Sequence, residues 1–342
     1  MKRMLIILSA LLLFRPAYDV SVFHSFSFGS RVAGREGQTL VMFWNLENLF
    51  DWRRDSLNGS ESEAEFTSFG KKHWTKRRFT AKCNAIAKSI FWIKDREGAL
   101  PDVIGIAEVE NRFVLKRLLE DTPLYKTDYE IVHFDSPDPR GIDVALLYRL
   151  SRLELLQAVP LRVGGGADPP LRTRDILLTK FRRQDGDSVA FLVNHHPSKY
   201  GGKTNDRRKM ALLRLRNATD SLQNAGLRNI VAMGDFNDTP DNPAFGILTD
   251  GQPYPLLNIA APLAERGEGT IRYSGKWEMI DIFFVSENIA VNGHIPEMRV
   301  LRIPFLMTWD NAHSGEKPLR TYTGPRYVGG VSDHCPIVVR IR

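Results

Sequence analysis

Two stretches decide the fold: VAFLVNHHPS, Val189–Ser198, and IVAMGDFND, Ile230–Asp238. Each is a short apolar run, partly β-branched, that ends abruptly in Asn, His and Asp, which reads as a buried strand delivering polar side chains at its end. Between them, Asn205–Asn224 reads as a helix with Ala211, Leu215, Ala218 and Leu222 on one face. Thr204 stands where an N-cap is expected and Gly226 lies just past the end. Further out, Thr39–Trp44, Val103–Ala107, Val144–Tyr148, Ile176–Phe181, Ile280–Val285 and Pro336–Ile341 read as strands. Lys76–Lys94 reads as a helix, because Phe79, Cys83, Ile86, Ile90 and Ile93 share one face, and Arg112–Glu120 reads as another. Asp51–Gly70 reads as a surface loop and Gly164–Pro170 as a turn cluster. Strands dominate and long helices separate some of them, so the pattern predicts packed sheets with helices outside; it does not fix the strand order.

The chain has 342 residues, 43% hydrophobic and 25% charged, which suits a folded core and excludes a disordered or fibrous protein. Lys2 and Arg3 precede an apolar run from Met4 to Phe14, and Arg15, Pro16 and Ala17 follow. A basic head, a short apolar stretch and then polar sequence predict an export signal over residues 1–25, hence a secreted or periplasmic protein. Residues 26–38 read as a lead-in and 39–342 as one domain. The apolar run is too short for a comfortable membrane span, and no stable membrane insertion is expected once the signal is removed. Net charge is +7, and setting aside Lys2, Arg3 and Arg15 takes it to +4, a mild basic excess compatible with a polyanionic substrate. Cys83 falls on an apolar helix face and Cys335 at the start of a strand, so both read as core thiols and no disulfide is expected.

The chemistry sits in five polar clusters, each at or beside the end of a strand-like run: Asn45-Leu46-Glu47-Asn48, Glu108 with Glu110, His195-His196, Asp235-Phe236-Asn237-Asp238, and Ser332-Asp333-His334. Asp281 lies inside the run Ile280–Val285. A carboxylate at the edge of an apolar strand is costly unless paired or bound to metal, so five such clusters point to one shared pocket. Carboxylate and amide oxygens dominate the set, which suits magnesium, manganese or calcium better than zinc.

These segments resemble the endonuclease/exonuclease/phosphatase superfamily, which includes deoxyribonuclease I, exonuclease III and neutral sphingomyelinases. The resemblance rests on FWNLENLFD (Phe43–Asp51), IGIAEVEN (Ile104–Asn111), VNHHPS (Val193–Ser198), GDFND (Gly234–Asp238), WEMIDIFFVS (Trp277–Ser286) and SDHCPI (Ser332–Ile337). They occur in family order across nearly the whole chain after the apolar run. The resemblance implies an α+β fold of two packed mixed β-sheets flanked by helices, with the site at one edge of the sandwich. It implies that Glu108 is the principal metal ligand, with Asn45 and Glu47 beside it holding metal and phosphate, and Asp333 assisting the metal or its waters. Asp235 would orient or deprotonate the attacking water, Asn237 and His334 would contact the phosphate, and Asp281 would fix the His334 ring. His195 takes the place of a residue that contacts phosphate or aids the leaving group.

These roles match what phosphoester hydrolysis requires: neutralised non-bridging oxygens, a positioned water, and a proton for the leaving oxygen. Glu110 reads as a capping or solvated carboxylate, His196 as a packed ring, and Asp238 as a turn former. Arg140 has two readings, a phosphate contact or the closure of a turn with Asp138. Two basic clusters, Lys71, Lys72, Lys76, Arg77 and Arg78 around Trp74 and Phe79, and Lys199, Lys203, Arg207, Arg208 and Lys209, read either as a nucleic-acid track or as solvated surface. The expected function is a metal-dependent phosphodiesterase or endonuclease acting as a monomer on nucleic acid. The alternative is a phosphatase or phospholipase C-type hydrolase of inositol phosphates or sphingomyelin.

Overall fold

The computed structural model describes residues 37–53, 64–164, 171–198, 204–250, 253–290 and 294–342. The expected export signal, nearly all of the lead-in, much of the Asp51–Gly70 loop, most of the Gly164–Pro170 turn, and Lys199 and Lys203 lie outside these residues. The strands are β1 (Thr39–Leu49), β2 (Val103–Val109), β3 (Tyr129–His133), β4 (Asp143–Arg149), β5 (Leu153–Leu161), β6 (Ile176–Arg183), β7 (Ser188–His195), β8 (Asn229–Asp235) and β9 (Leu256–Asn258), followed by further strands that include Asp281–Ser286 and Ile337–Ile341. The long helices are α1 (Lys76–Glu97), α2 (Arg112–Glu120) and α3 (Thr204–Asn224).

Two mixed six-stranded sheets form the centre. The first runs Arg299–Val300, Ile337–Ile341, β1, β2, β4, β3, and the second runs β5, β6, β7, β8, Asp281–Ser286, β9. β1 pairs parallel with β2, and β7 parallel with β8. The other ladders of the two sheets are antiparallel. The two stretches that open the sequence reading are therefore neighbouring parallel strands joined by a helical crossover, as parallel pairing requires. Their polar ends emerge on the same edge, because parallel strands share a C-terminal end: His195 lies opposite Asp235 in the register.

Alternation explains why β1 reads as unbroken apolar sequence. Leu40, Met42 and Trp44 join a cluster with Phe79, Cys83, Ile86 and Ile90 of α1 and Val114, Leu115 and Leu118 of α2. Val41 and Phe43 join the core that holds Phe191, Met233 and Phe283 of the second sheet. Both faces of the strand are covered, one by helices and one by the other sheet, so neither can be polar. Ala211, Leu212, Leu215 and Leu222 of α3 belong to that second core. Thr75 caps α1 by accepting a hydrogen bond from the Arg78 amide. The helix runs past Lys94 to Glu97 and stops where Gly98 turns left-handed at φ 71°. Asn111 caps α2 in the same way as Thr75 caps α1, taking the Val114 amide at 3.1 Å.

The pattern reading missed β3, β5, β9 and the short segment Arg299–Val300 of the two sheets. β5 is the edge of its sheet, Leu155 and Leu156 are exposed, and the register slips between Leu155 and Gln157. A half-solvated, bulged edge strand carries no clean alternation, and Pro160 fits there because an edge amide needs no partner. Both cysteines are free and buried, as expected. No helix among the described residues is long and apolar enough to cross a membrane.

Close approach of the two sheets depends on Gly105 in β2. A Cβ there would stand 2.9 Å from Met233 Sδ and 3.1 Å from the Phe43 ring. Gly105→Val is expected to cost about 1–3 kcal/mol through overpacking, seen as a thermal midpoint several degrees lower. An unchanged midpoint would mean that the sheets are not packed tightly at this point.

Candidate active site

All five polar clusters meet at the edge where β1, β2, β7 and β8 end. Consecutive contacts link their ionisable side chains in one row. An Arg140 amino group lies 3.4 Å from Glu108 Oε1, which lies 3.8 Å from His195 Nε2. His195 Nε2 is 3.6 Å from Asp235 Oδ2, and His334 Nε2 approaches the same Asp235 oxygen at 3.9 Å. His334 Nε2 lies 3.8 Å from Asp333 Oδ1, and Asp333 Oδ2 accepts a hydrogen bond from Arg320 at 2.9 Å.

The backbone is contorted where these groups emerge. Among described non-glycine residues with positive φ are Glu47 (47°), Asn48 (63°), Glu108 (63°) and Asn237 (51°), all at this edge. Left-handed backbone is uncommon for such residues and persists only where surrounding contacts hold it. Those contacts are visible. The Glu47 amide donates to Asn45 Oδ1 at 2.9 Å, the Asn48 amide to Glu108 Oε2 at 3.0 Å, and the Asn237 amide to Asp235 Oδ1 at 2.9 Å. Asn45 Nδ2 donates to Asp235 Oδ2 at 3.0 Å, which couples the first sheet to the second.

His334 is held on three sides. Its amide donates to Ser332 Oγ at 2.9 Å, its carbonyl accepts the Trp44 indole N–H at 2.9 Å, and Nδ1 lies 2.8 Å from Asp281 Oδ2. Burial alone would lower its pKa, but the charge and hydrogen bond of Asp281, then Asp235, hold it well above the ordinary 6.5. His334 is therefore an imidazolium with Nε2 aimed at Asp235. Burial, opposed by His334 and reinforced by Asp281, raises the Asp235 carboxyl to about 7. His195 goes the other way: burial, then the charges of Arg174 and Arg140, drive it well below 6.5 and keep it neutral. The two histidines thus face one carboxylate in opposite charge states.

Asp235, Asp281 and His334 bring their ligand atoms within 4.8 Å of one another. In this arrangement His334 pairs with both carboxylates. Glu108 is also a candidate hard-cation donor: its carboxylate stands in the row with its side chain 11% exposed. Glu47 and Asp333, grouped with Glu108 and Asn45 in the sequence reading, meet at Arg320. Glu47 Oε1 accepts from Arg320 at 2.8 Å and Oε2 from the Thr321 amide at 2.9 Å. Asp333 shares the same arginine. Burial, then Asp333, raises Glu47 to about 7 despite Arg320.

Three residues were missed from sequence. Arg174 is buried and donates to Asp138 at 2.8 Å, to the His195 carbonyl at 3.2 Å and to the His196 carbonyl at 2.6 Å, fixing the end of β7. Arg320 lies in a loop whose sequence carries no signal. Lys82 did carry one: it shares the apolar face of α1 with Phe79 and Ile86, and its ammonium donates to the Glu47 carbonyl at 2.6 Å and Thr321 Oγ1 at 2.9 Å. Arg140 closes the turn with Asp138, its amide donating to Asp138 Oδ1 at 2.9 Å, while its side chain reaches Asn48 and Glu108. Glu110 accepts from the Asp51 amide, and His196 packs on Phe236 with ring centroids 4.7 Å apart.

The basic tracks change character. Trp74 and Phe79 are buried, and the Trp74 indole donates to the Phe50 carbonyl at 2.7 Å, so neither offers a stacking surface. Arg208 is buried too and pairs with Asp238 at 3.1 Å.

Residues 40–342 match the Endonuclease/Exonuclease/phosphatase family. The chain belongs to that family, and with its fold and site it is a phosphoesterase of this superfamily. Curated protein sequences give no match. Among solved structures, the mannosyl-6-phosphatase of Bacteroides thetaiotaomicron is similar at 17% identity and a TM-score of 0.57, over 89% of this chain and 99% of that one. The human nocturnin catalytic domain with bound sulfate is similar at 18% identity and a TM-score of 0.55, over 89% and 93%. D. rerio TDP2 complexed with single-strand DNA product is similar at 14% identity and a TM-score of 0.53, over 90% and 100%. At these identities the likeness speaks for the fold.

Asp281→Asn removes the anion that keeps His334 charged, so the ring pKa should fall toward or below about 6.5. Less of the ring is then protonated at pH 8 than at pH 6. The loss of turnover relative to the wild type is expected to be larger at pH 8 than at pH 6, read from pH–rate profiles. A ratio independent of pH would rule out the imidazolium role.

Proposed function

We propose that the protein is a divalent-metal-dependent hydrolase of phosphodiesters, with nucleic acid as substrate. The observation that carries the reading is the Asp281–His334–Asp235 arrangement: a buried imidazolium aimed at a carboxylate that titrates near neutrality. A phosphate seated against His334 Nε2 would have its negative charge stabilised by a fixed cation in a site with little water. Asp235, fixed by Asn45 and the Asn237 amide, is the group able to orient and deprotonate a water. Asn237 Nδ2 is held by the His196 carbonyl at 2.9 Å, which leaves its second amide N–H for a phosphate oxygen. Neutral His195 donates or accepts through Nε2 but carries no charge to the leaving oxygen.

Magnesium, manganese or calcium would be held by Glu108 with Asn45, and would neutralise the non-bridging oxygens when bound. Glu47 and Asp333 would shape this side of the site through Arg320. Support for a diester polymer comes from the half-exposed Arg140 and Arg320 at the two ends of the row. The buried Trp74 and Phe79 weigh for a second reading, hydrolysis of a small phosphorylated sugar or lipid headgroup, since they withdraw one stacking surface. The similar structures include both a DNA-product complex and a sugar phosphatase. We also propose export through residues 1–25 and a monomeric enzyme.

The test is a phosphoester panel of DNA, RNA, a nitrophenyl diester, sugar phosphates and phospholipids, run with each metal and with chelator. Chelator should abolish turnover, and His334→Ala should lower kcat by about 10²–10⁴-fold. Glu108→Ala should weaken metal binding, measured by titration calorimetry. Turnover of sugar phosphates but not of any diester would transfer the protein to the second reading. Equal metal affinity in Glu108→Ala would remove Glu108 from the metal site.

A further inference from the structure

Arg320 is placed to do more than brace the site. Its guanidinium uses one edge internally: Nε donates to Glu47 Oε1 at 2.8 Å and Nη2 to Asp333 Oδ2 at 2.9 Å. That bridge ties the contorted end of β1 to the turn that carries His334. The side chain is nonetheless 49% exposed, and among the described residues Nη1 has no protein partner. The outer edge of the fork, formed by Nη1 and the second hydrogen of Nη2, therefore faces solvent one residue from the reacting centre. The fork geometry of arginine suits this division, because two edges of one rigid plane serve different anions at once.

We propose that Arg320 is a substrate-binding side chain whose outer edge takes the phosphate adjacent to the one being cleaved. The inference rests on the nucleic-acid reading above and adds a specificity element to it. Three observations support it. Asp333 Oδ1 lies 3.8 Å from His334 Nε2 while its other oxygen holds Arg320, so the guanidinium is one side chain away from the group that receives the scissile phosphate. Glu47 and Asp333 orient the guanidinium before substrate arrives, which lowers the entropy lost on binding. Arg140 stands at the opposite end of the contact row beside Glu108, so cationic side chains flank the reaction on both ends. A phosphomonoester presents one anionic group to such a row, whereas a polynucleotide presents a charge on either side of the cleaved bond.

The experiment crosses a protein change with a substrate change. An oligonucleotide with one cleavable phosphodiester is prepared with native neighbours, and with either neighbouring phosphate replaced by a neutral methylphosphonate. Wild type and Arg320→Gln are assayed on each, with thermal melts to check that the variant is folded. Wild type should lose about 10-fold or more in kcat/KM when the neighbour on one side is neutralised, and Arg320→Gln should lose little further from that same replacement. Arg320→Lys, which keeps the charge but not the fork, should retain part of the sensitivity. If Arg320 only positions Asp333 and Glu47, the losses multiply for both neighbours, and the assignment is overturned. Failure of the wild type to cleave the all-phosphate oligonucleotide would sink the nucleic-acid reading and this assignment with it, an outcome distinct from multiplying losses in an active enzyme.

Discussion

The ladder between β1 and β2 is regular from Val41 opposite Val103 to Asn45 opposite Ala107, and then resumes only at Leu49 opposite Val109. Leu46, Glu47 and Asn48 therefore stand against Glu108 alone. This mismatch is the constraint on which the site depends. An unbroken strand would send alternate side chains into the helical layer or into the second sheet, where a carboxylate has no partner. The bulge re-aims Glu108 toward the edge and turns the Glu47 and Asn48 amides inward, where they satisfy the Asn45 and Glu108 oxygens. β2 also slips against β4 at the same residue, Ala107 and Val109 facing the consecutive Val144 and Asp143, so the ladders on both sides of β2 break at Glu108.

Buried charge is the second consequence. Glu47, Glu108, Asp235 and Asp281 all lie at or beneath this edge, and buried carboxyl groups are costly without compensating positive charge. Lys82 from below, Arg320 and Arg140 from the rim, Arg174 from behind and His334 at the centre supply it. The positive groups differ in how far each can give up its proton. Burial, opposed by Glu47, lowers Lys82 to about 8, Asp281 holds His334 charged, and the arginines stay charged at any working pH. His195 stays neutral because burial, then the charges of Arg174 and Arg140, lower it, while Asp281 and Asp235 hold His334 charged against the same burial.

Much of this was readable in advance, and the exceptions are physical. The apolar runs located eight strands and three helices, because burial on both faces leaves a strong pattern. β3, β5, β9 and Arg299–Val300 escaped, β5 because an edge strand half in water has no pattern to read. The cluster order pointed to Asn45, Glu108, Asp235 and His334, since a polar residue at the end of an apolar run is conspicuous. Trp74, Phe79 and Arg208 misled, because a basic segment with aromatics looks the same whether its rings face solvent or core. Arg174 and Arg320 were invisible: an arginine in a polar loop has no local feature that says which carbonyls or carboxylates it will meet.

The sequence by itself determined which residue types would stand at strand ends, which helix faces would be buried, and the chemistry the clusters share. Those are local properties, carried by periodicity and by the cost of leaving a polar group next to apolar neighbours. Tertiary structure alone decided that β7 and β8 lie parallel, that Asn45 bridges the two sheets to Asp235, and that Glu47 answers to Arg320 more than two hundred and seventy residues away. Such contacts join distant segments, and their energies depend on distance and desolvation in the folded state, which no short window of sequence encodes.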